Sequence, residues 1–191
     1  MSQVQILPPR PSMHNKIKVL FLGFALLNDL YVCFMQVKSM NVNYYFLCSY
    51  PLAPDSIIQP GNWGRIMNSY NLANPNIYWL PLRELMFENI RLKEFPAKPS
   101  RFSSAFLCES VEDAKAFRQA SSRFFDLLYE VSLVNPELPN HRGCLSLFDN
   151  ANQGNMIDLE NRARYYWAGT NIQKPELISI SPIRILRNIS V

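Results

Sequence analysis

The chain has 191 residues, 48% hydrophobic, 13% aromatic and 18% charged. That composition suits one sizeable globular domain and excludes a disordered or low-complexity protein. The net charge of +4 is uneven: residues 1–39 hold four basic groups and one acid, and the rest holds 15 basic against 14 acidic residues with no Lys/Arg run, which excludes a general nucleic-acid binder.

Residues 1–39 do not read as the start of a domain. The opening Ser2-Gln3-Val4-Gln5-Ile6-Leu7-Pro8-Pro9 has no amphipathic period, and 19–37 is an apolar stretch interrupted by Asn28-Asp29. It is about long enough to span a membrane, but an acid at its centre is expensive in lipid. The expectation is that the gene starts at Met40, that 40–191 is a single domain, and that no membrane is involved. A signal or anchor segment is the alternative. Four cysteines (Cys33, Cys48, Cys108, Cys144) stand far apart without CxxC or Cys/His spacing, so reduced thiols and a cytoplasmic setting are expected. With only His14 and His141, a multi-His metal site is excluded and no metal is expected.

Residues 44–65, YYFLCSYPLAPDSIIQPGNWGR, open with an apolar run that suits a buried strand over 45–48. Three prolines and two glycines then fix a non-repeating path through a Pro60-Gly61 turn to Trp63 and Arg65. Such a loop walls a cleft, or serves as a rigid surface loop with its Trp in the core; composition leaves both open. Pro81 suits a helix first turn, and Leu82, Leu85, Met86 and Ile90 recur at helical spacing, which puts Arg83, Glu84, Glu88 and Arg91 on the water side. The helix should stop before Pro96.

A strand over 101–108 follows. Ser110 with Asp113 three positions on predicts an N-cap and a helix to about Ala120. Residues 127–134 alternate as a strand, and 139–143 read as a polar loop. That loop carries His141, the one group of 40–191 whose ordinary titration lies near neutrality. A short strand over 144–148, a helix over 157–168 ended by Gly169, and strands over 176–180 and 182–189 complete the chain. The fold class is α+β, with a mixed, mainly antiparallel sheet and about three helices.

The segments YYFLCSYPLAPDSIIQPGNWGR, FPAKPSR, YEVSLVNPELPNHR, RYYWAG and PELISISPIRILRNI together resemble an uncharacterised bacterial domain-of-unknown-function family. That family is itself similar in layout to the ADP-ribosyltransferase fold, and the resemblance covers nearly all of 44–189. It implies a transferase acting on NAD or a related nucleotide-like molecule, with the acceptor left open. The transferase pattern carries an aromatic-His-x-Thr/Ser element on its first strand. Here the run is Phe46-Leu47-Cys48-Ser49, so Leu47 stands in place of the His and Ser49 is kept. The pattern's Ser-bearing middle strand corresponds to Arg101-Phe102-Ser103-Ser104, which implies that Arg101 and Ser103 hold cofactor. Its carboxylate before the penultimate strand corresponds to Glu176, the implied catalytic residue. Trp63 and Arg65 are the candidate stacking ring and phosphate clamp. The alternative is a non-catalytic binding module that keeps the cleft and has lost NAD chemistry.

Overall fold

The computed structural model describes residues 42–70, 79–149, 154–170 and 172–189. The expected boundary at Met40 and the apolar stretch 19–37 lie outside the described residues. Among those residues the architecture is α+β, with four α-helices and seven strands in two antiparallel sheets. No helix among them is long and apolar enough to cross a membrane.

The first sheet has the order β1-β4-β7-β2, from β1 (Tyr44–Cys48), β4 (Leu127–Leu133), β7 (Ile183–Asn188) and β2 (Ile57–Ile58). The second has the order β3-β6-β5, from β3 (Ala105–Leu107), β6 (Pro175–Ser179) and β5 (Asn140–Cys144). Every pairing between these strands is antiparallel. The two sheets adjoin where Tyr45 and Cys108 exchange N–H···O bonds, both 2.9 Å. Ala105, Leu107 and Leu177 from one sheet pack with Tyr129, Val131, Ile183 and Ile185 from the other, so the sheets share a core.

Strand alternation sends neighbouring side chains of β6 to opposite faces. Leu177 enters the core between the sheets, while Ile178 enters a second core with Phe87, Ile90, Leu159, Tyr166 and Trp167. That second core lies between β6 and two helices, α2 (Trp79–Glu94) and α4 (Met156–Ala168). The Trp167 indole N–H donates to the Phe87 carbonyl at 2.7 Å, locking the two helices together. Burying a ring such as Phe87 contributes roughly 1.5–3 kcal/mol.

Several sequence expectations hold. Ser110 caps α3 (Val111–Ala120), its Oγ accepting from the Asp113 N–H at 3.0 Å. Helix α4 opens on a capping box between Asn155 and Asp158 and closes at Gly169, whose φ of 67° is the left-handed conformation a C-cap needs. Others are corrected. Residues 62–65 belong to a helix, α1 (Asn62–Asn68), which makes four helices where about three were expected. Gly61, with φ 89°, turns the chain into it. The strand over 101–108 shrinks to β3 behind a 3₁₀ turn, Arg101–Ser103, which Ser100 caps with its side chain. The strand over 144–148 is instead a 3₁₀ turn, Leu145–Phe148, and β5 lies upstream where a loop was expected.

Helix α2 shows the largest departure. Leu82 and Leu85 are 48% and 60% exposed, while Arg83, Glu84 and Arg91 are buried beside Phe87 and Ile90. The buried positions still fall at helical spacing, but charged residues share the stripe. Arg91 is held by Glu88 at 2.7 and 3.0 Å and by the Lys98 carbonyl at 3.0 Å, so its charge reaches the interior with partners. Leu85→Lys should change stability by no more than about 0.5 kcal/mol, as surface substitutions do. A loss of several kcal/mol in denaturant unfolding would place Leu85 in the core.

Candidate functional site

Glu176 is the second residue of β6, the middle strand of its sheet, and it is 6% exposed. It shares a strand face with Ile178 and so points toward α2 and α4. Its antiparallel partner is Gly143 on β5. A Cβ at Gly143 would lie 2.2 Å from the Tyr166 ring. The missing side chain therefore lets that ring lie against the sheet, and the Tyr166 hydroxyl donates to Glu176 Oε1 at 2.8 Å. The Arg101 guanidinium reaches the same Oε1 through Nη1 and also donates to the Tyr166 oxygen at 2.6 Å.

Arg101 makes a second ion pair, Nε to Glu84 Oε2 at 3.0 Å, and Glu84 Oε1 accepts from Arg83 Nη2 at 2.8 Å. Arg83, Glu84, Arg101 and Glu176 thus form a buried quartet of zero net charge. Aromatic rings close around it. The Arg101 guanidinium lies 4.4 Å from the Phe148 ring centroid and 4.7 Å from that of Phe106, and Arg83 lies 4.7 Å from Phe148.

The electrostatics follow from the geometry. Burial pulls the Arg101 pKa down, but Glu176 and Glu84 overcome it and hold it well above its ordinary value. Burial pulls Glu84 up, yet Arg101 and Arg83 outweigh it, and its carboxyl is held below the ordinary range. Burial, with Glu176 adding to it, keeps the Tyr166 phenol well above its usual value, so it stays a donor. Burial and then the Glu176 charge push the Cys108 thiol up to about 12, which removes it as a nucleophile at neutral pH.

Of the residues singled out by sequence, Arg101 and Glu176 are brought together. Trp63 joins them through Phe106, its ring centroid 6.4 Å away at 74°. The Trp63 indole N–H is buried with no hydrogen-bond partner among the described residues. Arg65 is exposed on α1, with a long 3.5 Å contact to the Pro60 carbonyl. Ser103 is exposed at the end of the 3₁₀ turn, donating to the Ser100 carbonyl at 3.3 Å. Helix α1 is tied to that turn by the Gly61 N–H on the Ser104 carbonyl at 3.1 Å, so Trp63, Arg65 and Ser103 share one neighbourhood. Ser49 does not join it; its hydroxyl donates to Asp126 at 2.9 Å. Leu47 is buried in a core with Cys108, Ala114 and Leu128.

Sequence reasoning missed Glu84, Arg83 and Tyr166 as members of the cluster. The signal for Glu84 was its spacing to Phe87 and Arg91, one turn and two turns along α2. His141 is also corrected: it lies buried on β5, not on an exposed loop. Its Nε2 faces the Tyr166 carbonyl oxygen at 2.8 Å, so it acts as the donor there. Burial lowers its pKa from 6.5 to about 4. No group of three or more His, Cys, Asp or Glu among the described residues is placed to hold a metal ion.

Because His141 is neutral in the fold and its folded pKa is depressed, its contribution to stability is fully present above pH 6.5. The contribution is lost as pH falls toward about 4, where the folded ring also protonates. Histidine resonances followed by NMR should show His141 neutral at pH 5.5, with unfolding free energy falling over that window. A titration centred at 6.5 would contradict this burial.

A model of the family described as "Protein of unknown function (DUF2441)" matches residues 27–190. No curated protein matches the chain.

Proposed function

We propose that this chain, which belongs to the DUF2441 family of proteins of unknown function, is an ADP-ribosyltransferase-like protein acting on NAD or a related nucleotide, with Glu176 as its catalytic carboxylate. The observation that carries this reading is the setting of Glu176. Arg101 and Tyr166 both converge on Oε1, which fixes the carboxylate's orientation. Buried ion pairs seldom stabilise more than apolar groups of similar volume, so four charges kept in a core fit a use in addition to holding the fold.

The neighbourhood fits a dinucleotide. Arg65 is an exposed guanidinium suited to a phosphate, Ser103 an exposed hydroxyl suited to a ribose, and the Trp63 indole N–H lacks a partner among the described residues. NAD supplies a glycosidic C–N bond whose cleavage builds positive charge on the ribose. The Glu176 carboxylate stabilises that charge more in the transition state than in the ground state. Arg101 positions Glu176, and the Tyr166 hydroxyl bonds the same oxygen alongside it.

A second reading, a non-catalytic binding module, is favoured by Leu47. It stands where the transferase pattern carries a His, and it is packed in the core at 7% exposure. The experiment that separates the two combines nicotinamide release from NAD with a thermal melt of the same protein with and without NAD. Wild type should release nicotinamide, and Glu176→Gln should lower the rate about a hundredfold or more. The variant also leaves Arg101 with one fewer anionic partner, so rates are compared at a temperature where both proteins are folded. Arg65→Ala should keep stability within about 0.5 kcal/mol and weaken the NAD-dependent shift. NAD-dependent stabilisation without release selects the binding module. Neither release nor stabilisation contradicts both readings.

A further inference from the structure

Helix α2 fills the core with one side and leaves a row of leucines on the other. Phe87, Ile90, Arg83, Glu84 and Arg91 are its buried residues. Leu82, Leu85 and Leu92 are 48%, 60% and 59% exposed, and Asn89 between them is exposed as well. At 3.6 residues per turn these four fall within an arc of about 80°, diametrically across the helix from the buried set. A single exposed leucine needs no explanation. Three in a row along one helix face make an apolar patch of the kind that meets a partner.

The spacing says which partner. From Leu82 the intervals are three, four and three residues, the a-d-a-d order of a coiled coil, with Leu82 and Asn89 at a and Leu85 and Leu92 at d. One Asn at an a position fixes register and oligomer state by pairing with its own counterpart. No hydrogen bond joins the Asn89 side chain to another described residue, so its amide is available for that pairing.

The flanking charges set the direction. Glu88 takes the g position and Lys93 the following e position. In a parallel pair, g of one helix lies beside the next e of the other, so Glu88 meets Lys93 of the second copy. Glu88 is presented at a fixed place, because Arg91 and Ser100 already bond it. An antiparallel pair would set the Asn89 amide against Leu85 and leave it unpaired, which costs free energy. The helix is formed by its core side, so association does not have to fold it. We infer that the outer face of α2 is the docking surface for a second copy of this chain, the two helices parallel with Asn89 against Asn89.

The surface is independent of the transferase reading, and its test reads mass, not turnover. Four contact positions per helix make a small interface, so sedimentation equilibrium of the full chain from about 5 µM to about 500 µM should show a weak, reversible dimer. Leu85→Lys and Leu92→Lys each put a charge in the seam and should weaken it at least about tenfold. Both positions are exposed, so both variants should keep the thermal melt of the dilute, monomeric protein. Like positions come within disulfide reach only in parallel order. Asn89→Cys should therefore give a disulfide-linked dimer on mild oxidation, and adding Leu85→Lys should remove it while the native cysteines stay unchanged. A monomer at every concentration, an association that both lysine variants leave intact, or an Asn89→Cys protein that cross-links no more than wild type would each overturn the assignment.

Discussion

The Arg101 guanidinium is the contact on which the rest of this structure depends. It begins the 3₁₀ turn before β3 and bonds Glu84 of α2, Glu176 of β6 and Tyr166 of α4. Phe106 of β3 and Phe148 lie against its faces. Taking such a cation out of water costs several kcal/mol unless its donors are met, and here two carboxylates and a phenol oxygen meet them. Both helices and the second sheet are therefore held in the one arrangement that satisfies a single side chain. Gly143 is part of the same constraint, because its missing side chain lets Tyr166 reach Glu176 across the β5–β6 pair.

Much of the fold was legible because the local signals were strong. The aromatic run of β1, the Ser110 cap, the alternation in β4 and the Gly169 stop each have a mechanism that works within a few residues. The antiparallel α+β class follows from strands close in sequence near the C-terminus, and the resemblance to an uncharacterised family matches the family found over 27–190. The failures share a cause. Arg83, Glu84, Arg91 and His141 look like water-facing residues in isolation; Glu84, Arg91 and His141 are buried because a partner far along the chain, or a neighbouring turn, supplies their hydrogen bonds, and Arg83 is buried paired with the adjacent Glu84. Hydrophobic periodicity cannot register a charge that is satisfied inside.

The candidate site divides along the same line. Arg101 and Glu176 are 75 residues apart in sequence, and what placed them together beforehand was resemblance, not spacing. Ser49 bonds Asp126 instead, and Leu47 is a packing residue of its core. Trp63, Arg65 and Ser103 share a neighbourhood because α1 docks on the 3₁₀ turn, and neither the helix nor the turn was visible in a stretch dominated by Pro and Gly signals. A carboxylate held so firmly serves both packing and electrostatics. Under the proposed reading, activity and stability would be coupled at Glu176 in a way an exposed catalytic acid would not impose.

The central claim is that Arg101 and its carboxylates act as one unit in holding the domain. A double-mutant cycle between Arg101→Met and Glu84→Gln, measured by denaturant unfolding of wild type, both single variants and the double, tests it most directly. Each single change should cost about 3–5 kcal/mol, since each leaves a buried charge short of a partner. The double variant should cost less than the two losses added, with a coupling on the order of 2 kcal/mol. Losses that add to within about 0.5 kcal/mol would show that the two residues act independently and would contradict the account.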